Sequence, residues 1–240
     1  DATNRSWGYV GEGSRTNLLL RSDEFDNAAW ITVTSSVSAD ASTSPASTST
    51  ADTVIDTVAS STHRVYQNVT LAAAAHSISV YAKSAGRSWM AIRTTGGIVS
   101  YFNIGTGVVG TKAGGHTTST ITAAGNGWYR CSVTWTDAGG ATACGFDLAS
   151  ADSTNIYTGD GTSGIYLWGA QLNYGSTATA YLPTTSAARY DSPRRQWDAT
   201  NRRWGYVGEG SRTNLVTYSE QFDNAAWTKT DCTVTANSAT

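Results

Sequence analysis

Few residues of this 240-residue chain have the types and spacing for chemistry. Glu12, in VGEGSRTN, lies three positions before Arg15 and five before Asn17, and the same set returns as Glu209, Arg212 and Asn214. A glycine-flanked carboxylate is a possible general acid, yet no histidine or second carboxylate stands beside it. The motif therefore reads as an ion pair, or as a carboxylate capping turn amides, with Asn17 and Asn214 completing the hydrogen bonds. His63, His76 and His116 fall near strand or loop ends, none at the spacing of a nucleophile triad or a metal site. Glycoside hydrolysis needs two carboxylates roughly 5–10 Å apart. Asp147, Asp152 and Asp160 are the candidates on paper, but Asp152 and Asp160 occupy Gly/Ser-rich loops where Asx turns explain them. The triplets GTG, GDG and GEG have no strand-to-helix context and are not nucleotide loops. The expectation is no catalytic residue and no cofactor.

Aromatic residues carry the stronger functional signal. If Ile78 and Val80, Met90 and Ile92, Cys131, Val133 and Trp135, and Ile165 and Leu167 face a core, then Tyr81, Trp89, Trp128, Tyr166 and Trp168 face outward by the period of two. Sugar rings stack on such faces through their C–H surfaces, while Arg93 and Arg130 nearby bond hydroxyls or carboxylates. Tyr81, Trp89, Arg93, Trp128, Arg130 and Trp168 are thus the expected carbohydrate-binding residues. Equally, these rings can be covered by a second sheet, a loop or a neighbouring subunit.

Those residues need strands to position them, and the sequence is written for strands. Helical periodicity is almost absent, and Ala72–Ala75 is too short for a stable helix. Alternation marks strands at 63–70, 76–84, 88–95, 97–104, 117–122, 127–136, 141–149 and 164–172. Gly-rich turns separate them, Gly139-Gly140 among them. About ten short strands with close turns imply an all-β sandwich. Charged residues make up only 14% of the chain, against about 25% for an average domain, and the formal net charge is −2. Polarity here comes from hydroxyls, so no nucleic-acid partner is expected. No stretch of 18 apolar residues exists for membrane insertion. Cys131 and Cys144 flank an expected hairpin, where either a bridge or two buried thiols would fit; Cys232 replaces Ser35 in the repeat.

That repeat organises the chain. Residues 1–43 and 198–240 are identical at 27 of 43 positions. Whole domains in tandem are implied, as part of something longer, with a module at 1–187, its opening segment at 1–50 and its main strands at 51–172. A linker follows at 188–197, then a partial second copy at 198–240. Glu12, Arg15, Asn17, Trp30, Glu209, Arg212, Asn214, Phe222 and Trp227 are expected to seat each module on its neighbour. Because a partial β-domain cannot bury its own apolar positions, 198–240 is expected to be ordered through contacts with another body.

The order GYVGEGSRTNLLLRSDEFDNAAW, VYQNVTL, SISVYAKSAGRSW, GNGWYRCSVTW and SGIYLWGAQLNYGSTATAYLPTTSA resembles a family of bacteriophage tail and virion structural proteins. Those modules are similar in turn to jelly-roll carbohydrate-binding modules. The resemblance implies a jelly-roll, lectin-like sandwich in a tail fibre, spike or capsid decoration, located in the virion or outside the cell. Its implied partners are further copies of itself, other virion proteins and cell-surface glycan. No acidic cluster maps onto the structural calcium site of the binding modules, which leaves metal open. Two other settings fit the same residues: a repeat of a bacterial surface or filament protein, and an accessory domain of a secreted glycoside hydrolase.

Overall fold

The structure, a computed structural model, describes residues 15–191, 195–198, 203–206, 228 and 230. The chain divides into two compact units: Glu12–Ser192, and Asp1–Gly11 with Pro193–Thr240.

Within the larger unit the strands run β1 (Arg15–Asn17), β2 (Ile31–Val33), β3 (Ser35–Ser42), β4 (Ala51–Asp56), β5 (Ser60–Thr62), β6 (Arg64–Ala85), β7 (Trp89–Thr94) and β8 (Ile98–Asn103). They continue with β9 (Val108–Val109), β10 (Thr118–Gly125), β11 (Trp128–Ala149), β12 (Ile156–Thr158), β13 (Gly164–Tyr174) and β14 (Arg189–Asp191). In the smaller unit, β15 (Arg195–Asp198) pairs antiparallel with β16 (Arg203–Tyr206). No helix among the described residues is long and apolar enough to cross a membrane.

One ten-stranded antiparallel sheet dominates, in the order β3-β4-β13-β6-β11-β7-β8-β9, with β10 on β11 and β2 on β6. It becomes a curled sandwich because β6 and β11 are each 22 residues long and serve both halves. The later part of β6 and the earlier part of β11 join β13 and β10, while their other parts join β2 and β7. The strand readings at 63–70 and 76–84 are therefore one strand, as are those at 127–136 and 141–149. The expected turn at Gly139-Gly140 is a bend inside β11, opposite the Ala72–Ala75 run. Gly139 has φ +89°, and a Cβ there would sit 3.0 Å from the Ala73 nitrogen. Small side chains on both strands let the pair fold over without breaking its ladder.

Between the halves lies one apolar core that includes Ile78, Val80, Met90, Ile92, Cys131, Val133, Trp135, Phe146, Ile165 and Leu167. Phe25 and Trp30 of the opening segment stack on each other at 4.6 Å, and both meet Phe146. Cys131 and Cys144 are free, buried thiols thirteen positions apart on one strand, paired across the ladder with Val80 and Gln67. No bridge joins them, because the hairpin expected between them does not exist. Burial raises both thiols, Cys144 to about 12.

Side-chain amides stitch the opening segment to the end of the unit. Asn17 is fully buried and makes four hydrogen bonds: Nδ2 donates to the Ala170 and Leu182 carbonyls at 2.9 Å, and Oδ1 accepts from Leu19 N and Leu172 N at 3.1 Å. Gln67 adds a two-way bond to the Leu20 backbone, and Thr184 Oγ1 donates to Leu19 O. Arg15, opposite Asp191 in the β1–β14 pair, bonds its carboxylate at 2.8 Å. Trp30 is 4% exposed and donates to Arg21 O. Asn17 and Trp30 thus secure this unit's own interior, leaving no exposed surface with which to seat a neighbour. Glu12, Glu209, Arg212, Asn214, Phe222 and Trp227 lie outside the described residues, as does the expectation about how 198–240 is ordered.

Truncating Asn17 to alanine leaves four buried backbone groups unpartnered, a loss of about 3 kcal/mol or more in unfolding free energy measured by urea denaturation. Two buried groups set opposing pH dependences. Burial, with Lys112 adding to it, lowers His116 to about 4; burial, with Asp26 adding to it, raises Asp52 to about 6, against the backbone bonds that Asp52 accepts from Asp40 and Phe25. His116, neutral in the fold, costs stability as pH falls from about 6.5 to about 4, whereas Asp52 costs stability as pH rises from about 4 to about 6. In denaturation series across that range, His116→Gln raises relative acid stability. Asp52→Asn removes the opposite slope, so the wild type gains less, or loses more, at neutral pH than this variant does.

Candidate functional site

The outer face of the β13–β6–β11–β10 half is a lattice set by register. Reading from β10 to β13, the rows are Thr122, Arg130, Tyr81, Trp168; then Thr120, Ser132, Ser79, Gln171; then Thr118, Thr134, Ser77, Asn173. A bulge at Gly169, φ +64°, makes this possible. It shifts the alternation of β13 by one residue, so that Trp168 and Gln171 share the outer face while Leu167, Ala170 and Leu172 enter the core.

Two segments lie over part of this lattice. Gln171 and Asn173, both fully buried, bond the backbone between Thr177 and Leu182 and hold that stretch over β13. From the other side comes the 43–50 loop: Trp128 Nε1 donates to Thr43 O, and Trp168 Nε1 to Thr50 Oγ1, each at 3.1 Å. What stays open is the β10–β11 side. There a groove of about 350 Å³ is lined by Thr118, Thr120, Thr122, Arg130, Ser132 and Thr134, with Ser176–Ala178 as its far wall. Its hydroxyls bond one another in cross-strand pairs, Thr120 to Ser132 at 2.7 Å and Thr118 to Thr134.

Arg130 stands where covered and open parts meet. Its Nη2 donates to Ser79 Oγ at 3.0 Å and to Thr179 O at 2.5 Å, and its guanidinium lies 5.5 Å from the centre of the Tyr81 ring. Behind it Tyr81 meets Trp168 at 5.4 Å, and Trp168 meets Tyr181 at 4.8 Å. Burial lowers the Arg130 pKa, opposed by Tyr81.

The structure thus brings together Tyr81, Arg130 and Trp168 among the residues singled out from sequence. Trp128 is 2% exposed and offers no ring face to a sugar, since the loop carrying Thr43 covers its outward side. Trp89 and Arg93 lie on the opposite half. Trp89 packs with Ala91, Tyr101 and Ala149, and Arg93 is committed to buried Asp147 through Nε, at 3.0 Å, and Nη2. Asn155 links that carboxylate, at 2.7 Å, to the Tyr101 hydroxyl, at 3.0 Å. Sequence reasoning does not single out the groove hydroxyls or Tyr181; the signal for the hydroxyls is the Thr-x-Thr-x-Thr alternation at 118–122 facing Arg130-x-Ser132-x-Thr134.

The other chemistry-capable groups have structural tasks. His116 bridges the hydroxyls of Thr94 and Ser100, and His63 is held between the carbonyls of Thr34 and Tyr157. Asp160 accepts from Thr162 N and Ser163 N, the expected Asx turn, and shares Arg87 with buried Asp56. Asp152 instead holds Thr111. No cluster of His, Cys, Asp and Glu suited to a metal ion occurs among the described residues.

No protein-family model matches the chain, and no curated protein matches it. Among solved structures it is similar to the CBM22-1 xylan-binding domain of Paenibacillus barcinonensis Xyn10C, at 13% identity and a TM-score of 0.38, over 70% of this chain and 99% of that one. It is also similar to a candidate sugar-binding protein of Bacteroides thetaiotaomicron, at 8% identity and a TM-score of 0.36, over 66% of this chain and all of the other.

The two arginines respond differently to mutation. Arg93→Met strands the fully buried Asp147 carboxylate and lowers stability by about 3–5 kcal/mol. Arg130→Met, which breaks no ion pair among the described residues, costs less than half as much in the same thermal or urea unfolding series.

Proposed function

We propose that the Glu12–Ser192 unit is a non-catalytic glycan-binding module. The observation that carries this reading is the groove on the β10–β11 face, whose lining among the described residues supplies seven hydroxyl side chains and one guanidinium, and no carboxylate or histidine. Hydroxyls donate and accept at once, so a fixed array of them matches a ligand that is itself an array of hydroxyls. A concave site of this size suits one or two sugar rings. The same lining lacks the acid pair that glycosidic cleavage needs.

The setting we infer is a structural polypeptide of a phage virion that carries the module in tandem. It is supported by the 27 identities between the doubled stretches and by the resemblance of the quoted segments to virion structural modules. Mass spectrometry of purified particles of the parent phage should find this polypeptide as a stoichiometric component, and its absence would remove that setting without touching the groove.

On a glycan array the intact chain should bind a restricted set of oligosaccharides without cleaving them. The double variant Thr120→Val, Ser132→Ala removes a hydroxyl pair at the groove while leaving the core untouched, and should weaken binding about tenfold or more at unchanged melting temperature. Binding that survives this change intact would place the glycan elsewhere.

A further inference from the structure

The groove contains a cation without a counter-charge. Elsewhere in the unit Arg87 is matched by Asp56 and Asp160, and Arg93 by Asp147, whereas Arg64, over the Tyr66 ring, shares with Arg130 a buried Nε that has no partner among the described residues. Among the described residues no carboxylate pairs with Arg130, and none of the twelve lattice positions is acidic. Lys83, two residues from Tyr81 on the same strand, adds to the positive sign. Among the described residues Nη2 of the guanidinium is occupied by Ser79 and Thr179, Nε is buried with no partner, and no acceptor bonds Nη1. The Tyr81 ring offsets part of the desolvation, but a π-face is a weak substitute for an anion.

We propose that the groove takes an acidic saccharide, with the carboxylate of a uronic or sialic acid residue on Arg130 and the remaining hydroxyls on the threonine and serine pairs. This rests on the groove being the glycan site. The argument is one of desolvation. A guanidinium already drawn out of water loses little more when a ligand closes over it. A ligand carboxylate restores the charge-assisted hydrogen bonds that the protein withholds, which a neutral sugar cannot do. The hydroxyls around it, mutually bonded and uncharged, tolerate either sign and add no selectivity of their own.

The test uses the intact chain and a printed panel of oligogalacturonate, oligoguluronate and sialyllactose, each beside its methyl ester, which keeps the ring and removes the charge. At least one acid should bind about tenfold tighter than its ester, and that preference should shrink as sodium chloride rises from about 0.05 to about 0.5 M. Arg130→Gln should bring acid and ester within about twofold, with Arg130→Lys intermediate because it keeps the charge and loses the fork. Acids and esters bound equally by the wild type would overturn the acidic preference and leave the glycan reading standing. Neither bound, on this panel and on a neutral glycan array, would overturn both. The ester and salt comparisons need no variant, so poor folding of Arg130→Gln does not blunt them.

Discussion

The unit depends on one constraint: two 22-residue strands, β6 and β11, must remain paired while they pass from one half of the sandwich to the other. A ladder that long, if flat, would leave its apolar face in water. Bending it at Ala72–Ala75 and Gly139-Gly140 brings Ile78, Val80, Cys131 and Val133 against Val65, Cys144 and Phe146, and the core forms inside the fold of the hairpin itself. The other strands of the main sheet extend from one flank or the other of this bent pair. The groove belongs to it too, since Arg130, Ser132 and Thr134 are the outward residues of the β11 segment whose inward residues line the core.

Hydroxyl and amide side chains do here what ion pairs and disulfides do in other small modules. Asn17, Gln67, Gln171 and Asn173 each spend hydrogen bonds on backbone outside the ladders, Asn17 tying Leu182 and Leu19 to β13, and so fix the first and last segments of the unit. Buried amides satisfied in this way are specific because each misplacement strands several donors and acceptors together. The scarcity of charge in the sequence has its counterpart in this use of neutral polar groups. Against that background Arg130, with no carboxylate partner among the described residues, is the one charged side chain that they place in the lining of the groove.

Much of the core is legible in the sequence, and the reasons for the remainder are physical. Alternation puts Ile78, Val80, Met90, Ile92, Cys131, Val133, Ile165 and Leu167 inside, where they are, because strand faces are set by a period of two. That rule fails past Gly169, where a bulge changes parity and sends Leu172 inward. Gly139-Gly140 reads as a turn because positive φ serves a bend inside a strand as well as a reversal. Trp128 keeps its outward parity yet is buried, since parity names a face and says nothing of the loop that covers it. Conversely, the groove threonines look like any solvated strand face; only their register against Arg130, which no local pattern encodes, sets them apart.

The β1–β14 pair has a consequence for any chain that repeats this unit. Because Arg15 and Asp191 stand opposite each other, the polypeptide comes into the unit and leaves it at neighbouring points. Were such units joined in tandem, each would add little to the span of the chain, because its two ends lie side by side. A groove that binds glycan as proposed would then gain from avidity, several sites meeting a repeated ligand at an effective concentration set by the linkers between units.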